Sequence, residues 1–145
     1  MITYTPVKVR YGETDKMGIV YHANYLLYFE DGRTDFLEQA GFPYASIEER
    51  GYLCPAYSAE LSWRAPLRYG DDAVVETRVI ANGGTKTIYQ QRVFRAGDDP
   101  AVDKPVAEGR ITACTVDRDT FKPVSIKREL PDLYERYNAL IEPEA

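Results

Sequence analysis

Residues 24–43 read NYLLYFEDGRTDFLEQAGFP, and their apolar positions recur at helical spacing. Tyr25, Phe29, Phe36 and Ala40 fall on one stripe, with Leu26, Arg33 and Leu37 beside it. Asn24 stands where an N-cap is needed, Gly41 where a left-handed residue ends the last turn, and Pro43 prevents resumption. The spacing predicts a helix over 24–39. Gly32 lies in its middle at a cost of about 1 kcal/mol relative to alanine, so the reading requires something packed closely against its bare backbone.

Outward from this helix the chain turns to strands. Upstream, Thr5, Val7 and Val9 alternate with Lys8 and Arg10, which predicts a strand over 4–11 that Pro6 confines to a sheet edge. Gly12-Glu13-Thr14-Asp15-Lys16-Met17-Gly18 then supplies turn chemistry between strand and helix. Downstream, a weaker helical patch covers 44–50. Tyr57, Ala59, Leu61 and Trp63 next alternate with Ser58, Glu60, Ser62 and Arg64 until Pro66. Val75, Thr77 and Val79 alternate with Glu76 and Arg78, and Asn82-Gly83-Gly84 marks a hairpin into a return strand over 86–95. A long strand is predicted over 106–116, where Ala107, Gly109, Ile111 and Ala113 alternate with Glu108, Arg110 and Thr112. A closing helix is predicted over 128–140, opened near Pro131. One helix near the front followed by antiparallel strands is an α+β pattern, in which the sheet covers the helix.

The chain has 145 residues, 44% of them hydrophobic and 28% charged, the size and balance of one folded domain spanning 1–145. A net charge of −5 argues against a broad nucleic-acid footprint. No apolar run approaches the roughly 18 residues of a membrane span. The polar start offers no signal-peptide core, so a cytoplasmic location is expected. One histidine and two cysteines, Cys54 and Cys114, exclude the usual zinc sites and give no disulfide framework. Counting leaves carboxylate-rich cation sites open, but there is no EF-hand loop, Gly-rich phosphate loop or nucleophile elbow. Chemistry here leans on carboxylates, backbone amides and hydroxyls.

The stretch Val9-Arg10-Tyr11-Gly12-Glu13-Thr14-Asp15-Lys16-Met17-Gly18-Ile19-Val20-Tyr21-His22-Ala23-Asn24-Tyr25, running on through Leu26-Leu27-Tyr28-Phe29-Glu30, resembles the signature of the hotdog-fold acyl-CoA thioesterases of the 4-hydroxybenzoyl-CoA thioesterase family. The likeness continues through Ser62-Trp63-Arg64-Ala65-Pro66-Leu67, Gly70-Asp71 and Glu108-Gly109-Arg110-Ile111 to Val116-Asp117, in family order over nearly the whole chain. The resemblance implies a hotdog fold, a long central helix wrapped by a five- or six-stranded antiparallel sheet. It implies a homo-oligomer (a dimer, or a dimer of dimers forming a homotetramer) with the active site at the dimer interface. It also implies hydrolysis of acyl or aroyl thioesters of coenzyme A without metal or organic cofactor, acyl carrier protein being the alternative carrier.

Asp15 matches the family's catalytic aspartate, as nucleophile or as base for water. His22 stands where the helix begins, and its backbone amide and the helix dipole are suited to polarise a thioester carbonyl. Gly18, Tyr21, Asn24 and Tyr25 are the substrate-binding candidates beside them, with Tyr28 packing between helix and sheet. Lys86 matches the family's nucleotide-binding position, although Gly84 and Thr85 precede it where some relatives carry arginines. Arg64 and Arg92 are further cations for a phosphate. Glu13 and Thr14 are expected to shape the turn. Glu30, Asp31 and Asp35 are kept in view because other hotdog branches carry a catalytic carboxylate on this helix. A non-hydrolytic acyl-CoA-binding protein on the same fold is the reading from another class.

Overall fold

The computed structural model describes residues 1–145. The helix α1 (Tyr25–Gln39) lies across a five-stranded antiparallel sheet built from β1 (Ile2–Lys8), β3 (Ala56–Trp63), β4 (Asp72–Asn82), β5 (Lys86–Arg95) and β6 (Ala107–Cys114). The strand order is β1-β4-β5-β6-β3. Helix α2 (Tyr44–Glu49) and a small ribbon of β2 (Tyr52–Leu53) with β7 (Val116–Asp117) follow the C-terminal end of α1. Helices α3 (Ile126–Glu129) and α4 (Pro131–Leu140) close the chain. This is the hotdog architecture that the sequence resemblance implied.

Gly32 is where helix and sheet come closest. A Cβ placed there would lie 2.6 Å from Thr77 Oγ1, 2.8 Å from Gln91 Nε2 and 2.9 Å from Val75 Cγ1. The buried Gln91 amide uses that approach to donate to the Phe29 carbonyl at 2.8 Å and to Thr77 Oγ1 at 2.9 Å. Phe29 and Phe36, one turn to either side, are fully buried. Each aromatic ring taken out of water contributes on the order of 2–3 kcal/mol, which outweighs the helix propensity lost at glycine.

Pro6 sits in β1, an edge strand, as its missing N–H requires. The hairpin at Asn82-Gly83-Gly84 joins β4 to β5, with Gly84 at φ +85° and the Gly83 N–H donating to Lys86 O. Three expectations are corrected. Leu26 is exposed rather than beside the core stripe. The strand expected over 106–116 ends at Cys114, because Thr115 breaks the run and Val116 pairs with Leu53 instead. The closing helix is two pieces divided at Leu130, whose ψ of 59° precedes Pro131, as the residue before a proline avoids the helical region.

The outer sheet face departs most from simple alternation. Glu76 is 2% and Arg78 7% exposed. Glu76 receives Arg78 at 2.6 Å and Arg92 at 2.9 Å. Burial pushes the Glu76 carboxyl up, but the hydrogen bonds and charges of Arg92 and Arg78 outweigh it and hold it below the usual carboxylate range. The C-terminal residues lie over this face: the Glu142 N–H donates to Val79 O, Arg78 Nη1 donates to Pro143 O, and the Ala145 N–H donates to Gln90 Oε1.

Candidate active site

The turn that carries Asp15 is closed by its own backbone. The Asp15 N–H donates to Ile19 O and the Gly18 N–H donates back to Asp15 O, both at 2.9 Å. Gly18 takes φ +75°, the left-handed conformation that glycine adopts without a steric cost. Asp15 Oδ1 accepts the Met17 N–H at 2.8 Å. Its second oxygen has no hydrogen-bond partner within the chain, and the side chain is half-buried at the wall of a cleft.

Helix α1 enters this cleft with one tighter turn, His22–Asn24, ahead of it. Tyr21 is extended, the Asn24 N–H donates to Tyr21 O, and the His22 and Ala23 amides have no acceptor. Leading amides of a helix have no intrahelical partner, and the dipole places positive potential at the same point. The extra turn also corrects the N-cap reading. Asn24 is itself helical, at φ −71° and ψ −15°, and its side-chain Nδ2 donates to Glu13 O at 2.8 Å instead of capping.

Glu13 fixes the Asp15 turn to the helix start. Its carbonyl accepts the Tyr21 N–H at 2.9 Å as well as Asn24 Nδ2. Its buried carboxylate accepts the Arg10 N–H at 2.7 Å and the Tyr28 hydroxyl at 3.1 Å, with Arg10 Nη2 at 3.3 Å. Burial, together with the Glu13 charge, pushes the Tyr28 hydroxyl far up, so it stays a donor. Sequence reasoning assigned Glu13 to the turn but saw neither Tyr28 nor Asn24 as its partners, because the three meet only across folded segments.

Four of the residues singled out in the sequence line one cleft of about 330 Å³: Asp15, His22, Tyr25 and Arg64. Met17, Ile19, Val20, Trp63, Ala65 and Pro66 complete an apolar wall. Trp63, at the end of β3, donates its indole N–H to His22 O at 3.2 Å and meets the imidazole edge to face at 5.6 Å. Arg64 is ion-paired with Glu108. Neither Trp63 nor Ile19 was assigned a role from the sequence; their signal was their place in the stretches that resemble the family, Trp63 also ending an alternating strand.

The other candidates lie elsewhere. Gly18 forms the turn and Tyr21 leans over the His22 ring at 4.4 Å, neither lining the cleft. Asn24 faces the far side of the turn, against Glu13. Lys86 is at the opposite end of β3, its ammonium 3.5 Å above the Tyr57 ring, beside a separate cavity of about 490 Å³. Arg92 is consumed by Glu76 on the outer face. Glu30 and Asp31 are exposed outside the cleft, and Asp35 accepts the Thr5 hydroxyl at 2.6 Å. Tyr25 and Tyr28 are core residues that pack edge to face. Burial pushes the Cys54 thiol up, and Cys114 is buried. No three His, Cys, Asp or Glu side chains converge in a group able to hold a metal.

Residues 9–136 match the model of the thioesterase-like superfamily. YneP of Bacillus subtilis (strain 168), provisionally named an acyl-CoA thioesterase, is 39% identical over 131 residues, covering 90% of this chain and 91% of YneP. The acyl-CoA thioesterase YbgC of Haemophilus influenzae is 29% identical over 126 residues, covering 86% of this chain and 88% of its own. Among solved structures, the DHNA-CoA thioesterase of Staphylococcus aureus superposes with a TM-score of 0.88 at 30% identity, over 95% of this chain and 89% of that one.

Proposed function

The chain belongs to the thioesterase-like superfamily as a hotdog-fold thioester hydrolase acting on acyl-CoA, and from that premise we propose that Asp15 and the first amides of the helical turn at His22 are its catalytic machinery. The observation that carries this reading is the cleft that Asp15 and His22 share: a carboxylate with one free oxygen beside the start of a helical turn whose first two amides have no acceptor, the two segments tied together by Glu13. The thioester carbonyl oxygen docks on the His22 and Ala23 amides, which stabilise negative charge as it develops there. Asp15 then either attacks the carbonyl carbon, expelling the thiolate and leaving a mixed anhydride that water hydrolyses, or takes a proton from the attacking water. Both routes give the free acid and the thiol. Met17, Ile19 and Trp63 bound the space for a small or medium acyl or aroyl group.

The partner in the reading is a second copy of the chain. Strand β3 is the outer strand of the sheet, with every residue but Leu61 exposed, including Tyr57 at 65% and Trp63 at 48%. An open edge of this kind invites a further strand. Two-fold antiparallel pairing of β3 with its copy sets the Trp63 end of one protomer against the Ala56 end of the other. The partner's Lys86 thereby comes towards the cleft that holds Asp15, where Arg64 is already neutralised by Glu108.

The test is thiol release from a panel of short, long and aromatic acyl-CoAs and from the matching acyl carrier protein thioesters, with the wild type beside Asp15→Asn. The expected result is turnover that falls about 10²-fold or more in the folded variant, a rise in the barrier of about 2.7 kcal/mol or more. Full turnover in Asp15→Asn removes the residue from the mechanism, and faster turnover on the carrier protein transfers the substrate class. A single turnover in heavy-oxygen water identifies a nucleophile: unlabelled acid, with the label in the Asp15 carboxyl, marks an anhydride opened by water at the Asp15 carbon.

A further inference from the structure

A second cavity, of about 250 Å³, lies between the middle of α1 and the entry to β3. Its polar centre is Arg33, which the sequence placed beside the core stripe. The guanidinium is half-buried, and no carboxylate comes within 4.0 Å of it, unlike the other arginines described above. Its one hydrogen bond runs from Nη1 to Gln91 Oε1, a neutral amide, at 3.1 Å. Gln91 is held in that orientation because its nitrogen is taken by Phe29 O and Thr77 Oγ1. The remaining guanidinium nitrogens have no partner and keep access to solvent, and Arg33 lines the cavity.

The rest of the wall is apolar or already satisfied. Leu37, Ala56 and Ala113 supply aliphatic surface. The Tyr89 hydroxyl is paired with Tyr137 at 2.6 Å, and the Tyr44 oxygen accepts the Cys54 N–H at 3.0 Å. Glu30 is at the rim, exposed and out of ion-pair reach of Arg33. A cation partly withdrawn from water without an ion-pair partner carries a desolvation cost; burial pulls the Arg33 pKa below its ordinary value, and the Glu30 charge offsets this only in part. An anion entering the cavity offsets the penalty, and the guanidinium fork matches a carboxylate in two parallel hydrogen bonds.

We propose that this cavity binds a compact organic carboxylate, the carboxylate paired with Arg33 and the hydrocarbon body packed on Leu37, Tyr44 and Tyr89. Its volume falls below the roughly 300 Å³ at which drug-sized sites begin, so the body is a short alkyl chain or a single ring. Two sources supply that chemistry. One is a free acid. The other is the distal carboxylate of an acyl thioester whose reacting end lies in the partner's cleft, a source that rests on the function proposed above.

Calorimetry on the intact chain decides the site. Hexanoate, cyclohexanecarboxylate and benzoate are compared with their amides, for the wild type, Arg33→Gln and Glu30→Gln. Gln at 33 keeps an amide donor for Gln91, and Glu30→Gln removes the rim charge that competes with an incoming anion. The expected result is about tenfold or greater preference of the wild type for acid over amide, lost in Arg33→Gln, and a few-fold tighter carboxylate binding in Glu30→Gln. Equal binding of acid and amide by the wild type overturns the proposal, as does undiminished acid binding by folded Arg33→Gln. Should Arg33→Gln fail to fold, the acid–amide comparison and the direction of the Glu30→Gln change still decide. Hydrolysis of adipoyl-CoA against hexanoyl-CoA separates the sources: a KM raised about tenfold by Arg33→Gln for adipoyl-CoA alone assigns the substrate tail, and equal KM values assign the free acid. If neither thioester is hydrolysed, the substrate-tail source fails, the panel above still judges the proposed function, and the calorimetry still judges the cavity.

Discussion

Glu13 shows how one buried residue ties the Asp15 turn to the start of the helix. Its carbonyl holds Tyr21 and Asn24, and its carboxylate holds Arg10 and Tyr28. Glu13→Ala strands the Tyr28 hydroxyl and the Arg10 amide, each loss amounting to about 1–3 kcal/mol. Glu13 is a positioning residue in this reading, so its loss is expected to lower kcat about tenfold with KM nearly unchanged, and Glu13→Gln to restore most of it. Steady-state kinetics at a temperature where all three proteins are folded checks this; full kcat in Glu13→Ala would leave Glu13 a merely structural role. The signal in the sequence was a glutamate in a turn. Its reach to Tyr28, fifteen residues on, is a product of the fold.

At the scale of the element, α1 against the sheet, Gly32 governs. Alanine at an exposed helix position gains about 1 kcal/mol over glycine. Here its Cβ meets Thr77, Gln91 and Val75 inside 3.0 Å, and Thr77 and Gln91 are tied to each other and to the helix carbonyl. The expected outcome for Gly32→Ala is therefore a net loss of about 1–3 kcal/mol, the range for overpacking a filled site, read as a lower midpoint in urea unfolding. A midpoint equal to or above the wild type's would mean that the sheet gives way freely. The need for a close neighbour at Gly32 was legible because a mid-helix glycine has a known cost. The early end of the β6 strand was not, because Cys114, Thr115 and Val116 all suit a strand and only the fold pairs Val116 with Leu53.

The edge strand β3 bears exposed Tyr57 and Trp63, with the Asp15 cleft at its end. If the partner completes the site, specific activity falls on dilution in step with dissociation. Sedimentation equilibrium is expected to give twice the 16.5 kDa chain mass, or four times it, at concentrations where turnover is full. A monomer with undiminished activity would confine the site to one chain. The C-terminal residues 141–145, unassigned in the sequence, close the outer face over the Glu76 ion network, which explains how an alternating strand is buried on both sides.

The sequence by itself determined the α+β order, the helix over 24–39 with its demand for a close contact at Gly32, the edge position forced by Pro6 and the hairpin at Asn82. Each follows from local rules of periodicity and backbone freedom that act within a few residues. The stretch around Asp15 and His22 indicated the family by resemblance, and the family is what the comparisons bear out. Tertiary structure alone decided that Asn24 bonds to Glu13 rather than capping its helix, and that Arg92 is committed to Glu76. It also separated Lys86 from the Asp15 cleft and left Arg33 facing a cavity without an ion-pair partner. Those outcomes depend on which polar groups meet across segments far apart in the chain, and a hydrogen bond or ion pair is settled only when the competing partners share one space.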